Sequence, residues 1–284
     1  ATAEFLGFNP FWAGLLIVNL AASAGSAVFA RVAIRLTGDI NLGIRAFILL
    51  LMFPSSFFFS VPYNEAFGLL FTALALSAWL QHKPVRAGTF AALGSLARLT
   101  GVALGVAAFG AWLLKDRSRN GFKQAAILAF GSFLGLVLFF GYLAVVVGDP
   151  LAGIKAHQSW GRKELSIWNP WLSIQSLFDP EMPRRGEAIV WGEAIAALAF
   201  ALLGIRAWIK RGAFWGILTL IPTAQMMMSG TFLSGHRLVL AALPGFIELA
   251  DLLRQRLAFR TVVALFAFLQ IWLLNRFVHW IFAG

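Results

Sequence analysis

The chain has 284 residues, 60% of them apolar and only 12% charged, and its mean hydropathy is +0.81; a soluble domain carries about twice that share of charge. The composition excludes an ordinary soluble domain, and the absence of Cys excludes disulfides, thiol chemistry and Cys-based metal sites. A net charge of +11 would suit nucleic acid, but Lys and Arg stand in short clusters between apolar runs, as in the cytoplasmic loops of membrane proteins.

The expected fold is therefore all-α: a polytopic bundle of about nine or ten membrane helices in one transmembrane domain spanning 1–284. A membrane barrel would alternate polar and apolar residues, whereas these runs are continuous. In chain order the predicted spans are 11–32, 46–61, a short one at 66–80, 125–147, 194–208, 214–228, 238–253 and 261–282. The run 87–114 is too long for one ordinary span and contains Arg98. It is read as two short helices, or one broken helix, with the break near Leu99-Thr100-Gly101. The only long polar segment is 148–190.

Charge orients this map. Placing the loops 31–45, 81–86, 115–123, 206–211 and 254–260 in the cytoplasm collects 15 of the 23 Lys and Arg there, as the positive-inside rule requires. The segment 63–65, the loop 148–190 and the segment 229–237 then share the opposite face. This holds only if 87–114 enters and leaves from the cytoplasmic side, with Arg98 at the deep end of that excursion.

Phe53-Pro54-Ser55-Ser56-Phe57-Phe58-Phe59-Ser60-Val61-Pro62-Tyr63-Asn64-Glu65 is the most informative stretch. An apolar run stops at a proline, presents Tyr63, Asn64 and Glu65, and becomes apolar again at once. A carboxylate in so short a gap is costly and marks a candidate site. Arg98 stays charged and needs an anion, carbonyls or water. It is either a phosphate ligand, its fork binding two oxygens, or the ion-pair partner of Glu65. Glu65 is a base, an acceptor for a sugar hydroxyl, or a brace for Arg98; positioning is favoured over proton abstraction. Tyr63 is a substrate contact or an interfacial anchor.

Further candidates lie on the same face. Asp149 contacts substrate or caps a short helix beginning at Pro150. His157, Gln158 and Trp160 offer donors and an aromatic face of the kind a sugar ring prefers, or do structural work in the loop. His236 and Arg237 open a helix, where Arg237 and the helix N-terminus suit an anionic head group; otherwise Arg237 snorkels to the interface. Glu248 and Asp251 are read as solvated partners of Arg254. No metal-ligand spacing, Walker loop, GxGxxG or GxSxG stands in a supporting context, so no metal and no cofactor is assigned.

At these residues the chain resembles the PIG-V-like mannosyltransferase family of the GT-C superfamily of integral membrane glycosyltransferases. The stretch from Phe53 to Glu65 is similar to that family's Phe-Pro-Ser/Thr-x-Phe-Phe-x-x-x-x-Tyr-x-Glu segment. Ala97-Arg98-Leu99-Thr100-Gly101 resembles its Thr-Arg-Pro/Leu-Thr-Gly turn, with Ala97 in place of Thr. Gly148-Asp149-Pro150-Leu151 through Trp160 resembles the start of its long outer loop. His236-Arg237 with Pro244 resembles its late Arg-Tyr…Pro segment, with Leu238 in place of Tyr.

The resemblance implies a GT-C-like bundle that transfers a sugar, typically mannose, from a polyprenyl- or dolichyl-phosphate donor to a hydroxyl on a glycolipid or glycan acceptor, with inversion. It implies lipid-bilayer residence, no nucleic-acid partner, and an active side facing outward or toward a lumen. The short loops favour a bacterial cytoplasmic membrane over the endoplasmic reticulum. Arg98 and Arg237 fit the departing lipid phosphate. The family's base is usually an Asp in the first outer loop, after an initial helix. This chain begins at what resembles the following span, so an N-terminal truncation and a missing base are expected. Two other readings stay open: a transporter or flippase of a lipid-linked or anionic solute, and a non-catalytic membrane subunit of the same fold.

Overall fold

The computed structural model describes residues 9–115, 117–159, 166, 168–178, 187–281 and 283, and among them there are helices and no strands. Among the described residues four helices are long and apolar enough to cross a membrane. They are α1 (Pro10–Thr37), α6 (Arg119–Val146), α9 (Glu187–Arg211, its apolar part from Ile189) and α13 (Arg256–Val278). Between them lie shorter helices: α2 (Ile40–Met52), α3 (Glu65–Trp79), α4 (Pro84–Ala97), α5 (Ala103–Leu114), α10 (Ala213–Met227) and α12 (Leu243–Leu252). The minor helices are α7 (Ala152–Ser159), α8 (Asn169–Gln175) and the four-residue α11 (Gly235–Leu238). Phe130, Leu138, Ile195, Leu202, Phe268 and Ile271 turn outward from α6, α9 and α13, a surface suited to lipid.

The short helices end early for local reasons. The sequence pattern predicts a span over 46–61, but α2 stops at Met52. Proline disfavours the α conformation in the residue before it, and Phe53 is extended at φ −57°, ψ 141° before Pro54. A 3₁₀ turn, Ser56–Phe59, follows. The predicted span 238–253 is likewise divided. A 3₁₀ turn at Val239–Ala241 precedes α12, with Pro244 in its first turn, where proline needs no hydrogen-bonded N–H. The predicted break in 87–114 is present: Arg98 is extended at φ −150°, ψ 137° between α4 and the 3₁₀ turn Leu99–Val102.

Side-chain contacts give the helix directions. Gly88 lies against Ile127 and Gly131, and Gly135 against Ala92 and Leu96, so α4 runs parallel to α6. Gly105 lies against Ala129 and Ser132, and the Trp112 ring sits 5.0 Å from that of Phe122, so α5 runs back along α6. The segment 87–114 thus enters and leaves from one end of the bundle, with Arg98 at its far point.

Basic loops meet at that entry end. Trp79 stacks on Phe214 at 5.1 Å, and Arg45 donates to the carbonyls of Leu253 and Arg254. Glu248 and Asp251 are buried there, which corrects the solvated reading. Glu248 pairs with Arg206 (3.0 Å) and Arg211, while Asp251 takes Arg206, Lys210 (3.0 Å) and Arg254 (2.6 Å). α9 and α12 pack tightly, with Phe200 and Phe246 4.8 Å apart, and the two carboxylates are buried while Lys210 and Arg254 remain exposed.

Candidate functional site

Three irregular segments, 53–64, 98–102 and 228–242, converge at the other end. Non-helical backbone at membrane depth is tolerated only where protein buries it or where it lines a cavity. Here it does both. Glu65 begins α3 and its side chain is fully buried. Its Oε1 accepts from Arg98 Nη1 at 2.8 Å and from Arg237 Nε. Two guanidinium groups from distant segments therefore share one carboxylate, while Glu65 Oε2 is buried without a hydrogen-bond partner among the described residues.

Arg237 is also held by aromatic faces. Its guanidinium carbon lies 4.5 Å from the Phe58 ring centre and 4.7 Å from that of Tyr63, an attraction that strengthens away from water. Asn64 Nδ2 donates to the carbonyl of Ala97 at 2.7 Å, tying the start of α3 to the residue before Arg98. A cavity of about 460 Å³ opens beside this cluster. Tyr63, Asn64, Arg98 and Arg237 line one part of it; Ser95, Thr100, Gln225 and Ser234 add polar groups, and Phe139, Phe140 and Ile154 an apolar wall.

The other sequence candidates fall elsewhere. His236 is adjacent to Arg237 but does not line the cavity. It is buried, with Nδ1 3.4 Å from Glu193 Oε1 and Nε2 2.9 Å from the carbonyl oxygen of Ala283, while its own carbonyl accepts from Ser55 Oγ at 2.6 Å. The short helix predicted from Pro150 begins at Ala152, so Asp149 does not cap it; Asp149 accepts from the Leu151 N–H at 2.9 Å and from Lys155 Nζ at 2.7 Å in the turn before α7, outside the cavity lining. The lysine hydrogen bond, followed by the backbone one, holds its carboxyl below the ordinary aspartate range. The side chains of His157 and Gln158, and all of Trp160, lie outside the described residues. The α11 helix has only four residues, too few for a helix dipole to serve an anion, so Arg237 acts through its own charge.

Sequence reasoning did not single out Ser95, Thr100 and Gln225, which line the cavity, or Glu193, which lies outside its lining and holds Ser234. Glu193 had a readable signal, a carboxylate at the edge of an apolar run; it is buried and accepts from the Ser234 N–H at 2.7 Å. Ser95, Thr100 and Gln225 are neutral residues inside apolar stretches and carry no comparable mark. Among the described residues no group of three or more His, Asp or Glu side chains is arranged to hold a metal ion. No protein-family model, curated protein or solved structure matches the chain.

Proposed function

We propose that the chain is an integral membrane glycosyltransferase of GT-C type, similar to PIG-V-like mannosyltransferases. It takes a sugar, mannose by resemblance, from a polyprenyl- or dolichyl-phosphate and transfers it to a hydroxyl of a glycolipid or glycan. The observation that carries this reading is the pair of arginines, Arg98 and Arg237, held on one buried carboxylate at the wall of a cavity. Positioned cations beside an enclosed space suit an anion that gains charge as a bond breaks.

In the proposed reaction the acceptor hydroxyl oxygen attacks the anomeric carbon from the face opposite the phosphate. The bond from that carbon to the phosphate oxygen breaks, and its electron pair leaves with the polyprenyl phosphate. Arg98 and Arg237 offset the resulting charge through forked hydrogen bonds. Glu65, shared between two guanidiniums, keeps both aimed. The hydroxyl proton passes to a base, by resemblance an Asp of the family's first outer loop; none of the described residues lining the cavity is a carboxylate, and Glu65 lies buried behind Arg98 and Arg237. The positive-inside pattern supports an outward or luminal placement for the Glu65 end, opposite the basic loops.

The test is transfer of radiolabelled mannose from polyprenyl-phosphate mannose, together with binding of that donor to the chain in lipid nanodiscs. Binding and transfer by the chain, both lost in R98A, would bear the reading out. Binding without transfer, even by a chain that also carries the family's first outer loop with its Asp, would refute the enzymatic step and favour a carrier or non-catalytic subunit. Absence of both would overturn the whole reading.

A further inference from the structure

The two arginines occupy only part of the cavity wall, and the polar groups beside them have no other work. Ser95 is 1% exposed, lines the cavity, and its Oγ has no hydrogen-bond partner among the described residues. Ser132 Oγ is likewise buried without a partner among the described residues, but it does not line the cavity. Ser26, Thr37, Thr89 and Thr219 each donate to the carbonyl four residues back, at 2.7 to 3.0 Å. Such back-bonding is the ordinary resting place of a helical hydroxyl. Thr100 and Gln225 also line the cavity, and their side chains form no hydrogen bond with any described residue. Asn64 spends its amide nitrogen on Ala97 and keeps its carbonyl oxygen. Of these only Ser95 Oγ is buried, and a buried polar atom without a partner is rare and calls for an explanation.

Ser95 and Thr100 stand within a turn of Arg98. Ser95 is three residues before it and Thr100 two after, while Gln225 comes from α10 across the cavity. A sugar phosphate has this layout: a ring of hydroxyls, each donor and acceptor, one bond away from an anion. Resting on the transfer reading above, we propose that Ser95, Thr100 and Gln225 form a hydroxyl-binding pocket for the sugar ring of the lipid-linked donor. This pocket separates a sugar-bearing lipid phosphate from a bare one. The arginines hold the phosphate common to both.

The experiment compares two probes, a short-chain polyprenyl-phosphate mannose and the matching polyprenyl phosphate, bound to the full chain in nanodiscs. Wild type is expected to prefer the mannosylated lipid. S95A and Q225M should each weaken its binding roughly three- to tenfold, the value of one hydrogen bond, and leave the bare lipid unchanged. S95A should melt no lower than wild type, because no described group loses a bond. If the variants weaken both probes equally, or neither, the sugar pocket is refuted while phosphate binding stands. If wild type binds neither probe, or R98A leaves bare-phosphate binding intact, the transfer reading fails and the pocket falls with it.

Discussion

Asn64 donates to the carbonyl oxygen of Ala97 at 2.7 Å, so the residues next to Glu65 and Arg98 are themselves joined. That carbonyl belongs to the last turn of α4, where backbone acceptors have no partner within the helix. Asn64→Leu should therefore lower stability by about 1–2 kcal/mol and weaken polyprenyl-phosphate binding. Asn64→Asp should be worse, since it sets an acceptor against an acceptor. Thermal unfolding in detergent and lipid binding in nanodiscs measure the two effects.

Glu65→Gln should be far more disruptive. It leaves two largely buried guanidiniums without their carboxylate, and breaking a buried pair from one side costs about 3–5 kcal/mol. The double variant E65Q/R98Q should recover much of the stability without recovering phosphate binding. A double-mutant cycle on melting temperature checks the coupling; simple additivity would argue against a shared ion pair.

These two predictions separate what the sequence carries from what it does not. Pro54 and the Tyr63-Asn64-Glu65 gap announce a helix stop and a stranded carboxylate without any structure. Arg98 in an apolar run announces a need for an anion, and Glu65 is its evident partner. Nothing in the order of residues says that Arg237, 172 positions away from Glu65, uses the same oxygen. The charges at 206–211 and 248–254 misled for a related reason. A basic cluster beside an acidic one looks like a solvated loop until two helices close over Glu248. Ser95 and Gln225 are silent because a single neutral polar residue in a membrane helix is ordinary, and only its missing partner makes it notable.

At the opposite end, Glu248→Gln should cost about 3–5 kcal/mol, because its fully buried side chain holds Arg206 and Arg211. Lys210→Ala should cost no more than about 1 kcal/mol, because that lysine is 48% exposed and Asp251 keeps two arginines. Melting temperatures of the two variants, side by side, test the ranking.

Asp149 offers a pH test outside the candidate membrane spans. Its carboxyl is held low by Lys155 and by the Leu151 N–H. A depressed carboxyl contributes stability above its unfolded-state value and loses it as pH falls through the folded one. The Leu151 amide resonance should therefore titrate with Asp149 at a lower pH than an ordinary aspartate would give. In Asp149→Asn it should show no such titration.

Glycine substitutions in α6 should divide sharply. A Cβ on Gly131 would lie 2.1 Å from the Gly88 carbonyl oxygen, and one on Gly135 2.0 Å from that of Ala92. Alanine at either position should cost at least about 1–3 kcal/mol and impair phosphate binding. Gly141→Ala meets nothing within 4 Å and should be neutral or slightly stabilising. Stability and binding measured on the three variants settle the contrast.

The glycine seam between α4 and α6 works as a ruler. It sets backbone against backbone at fixed rungs, and so fixes how far along the bundle α4 carries its last residue before the chain turns at Arg98. Slipping α4 by one helical turn would shift that point by about 5.4 Å, nearly twice the 2.8 Å that joins Arg98 to Glu65. Residues with no side chain beyond hydrogen thus decide where a guanidinium ends up, and the depth of the site is written in positions that never touch it.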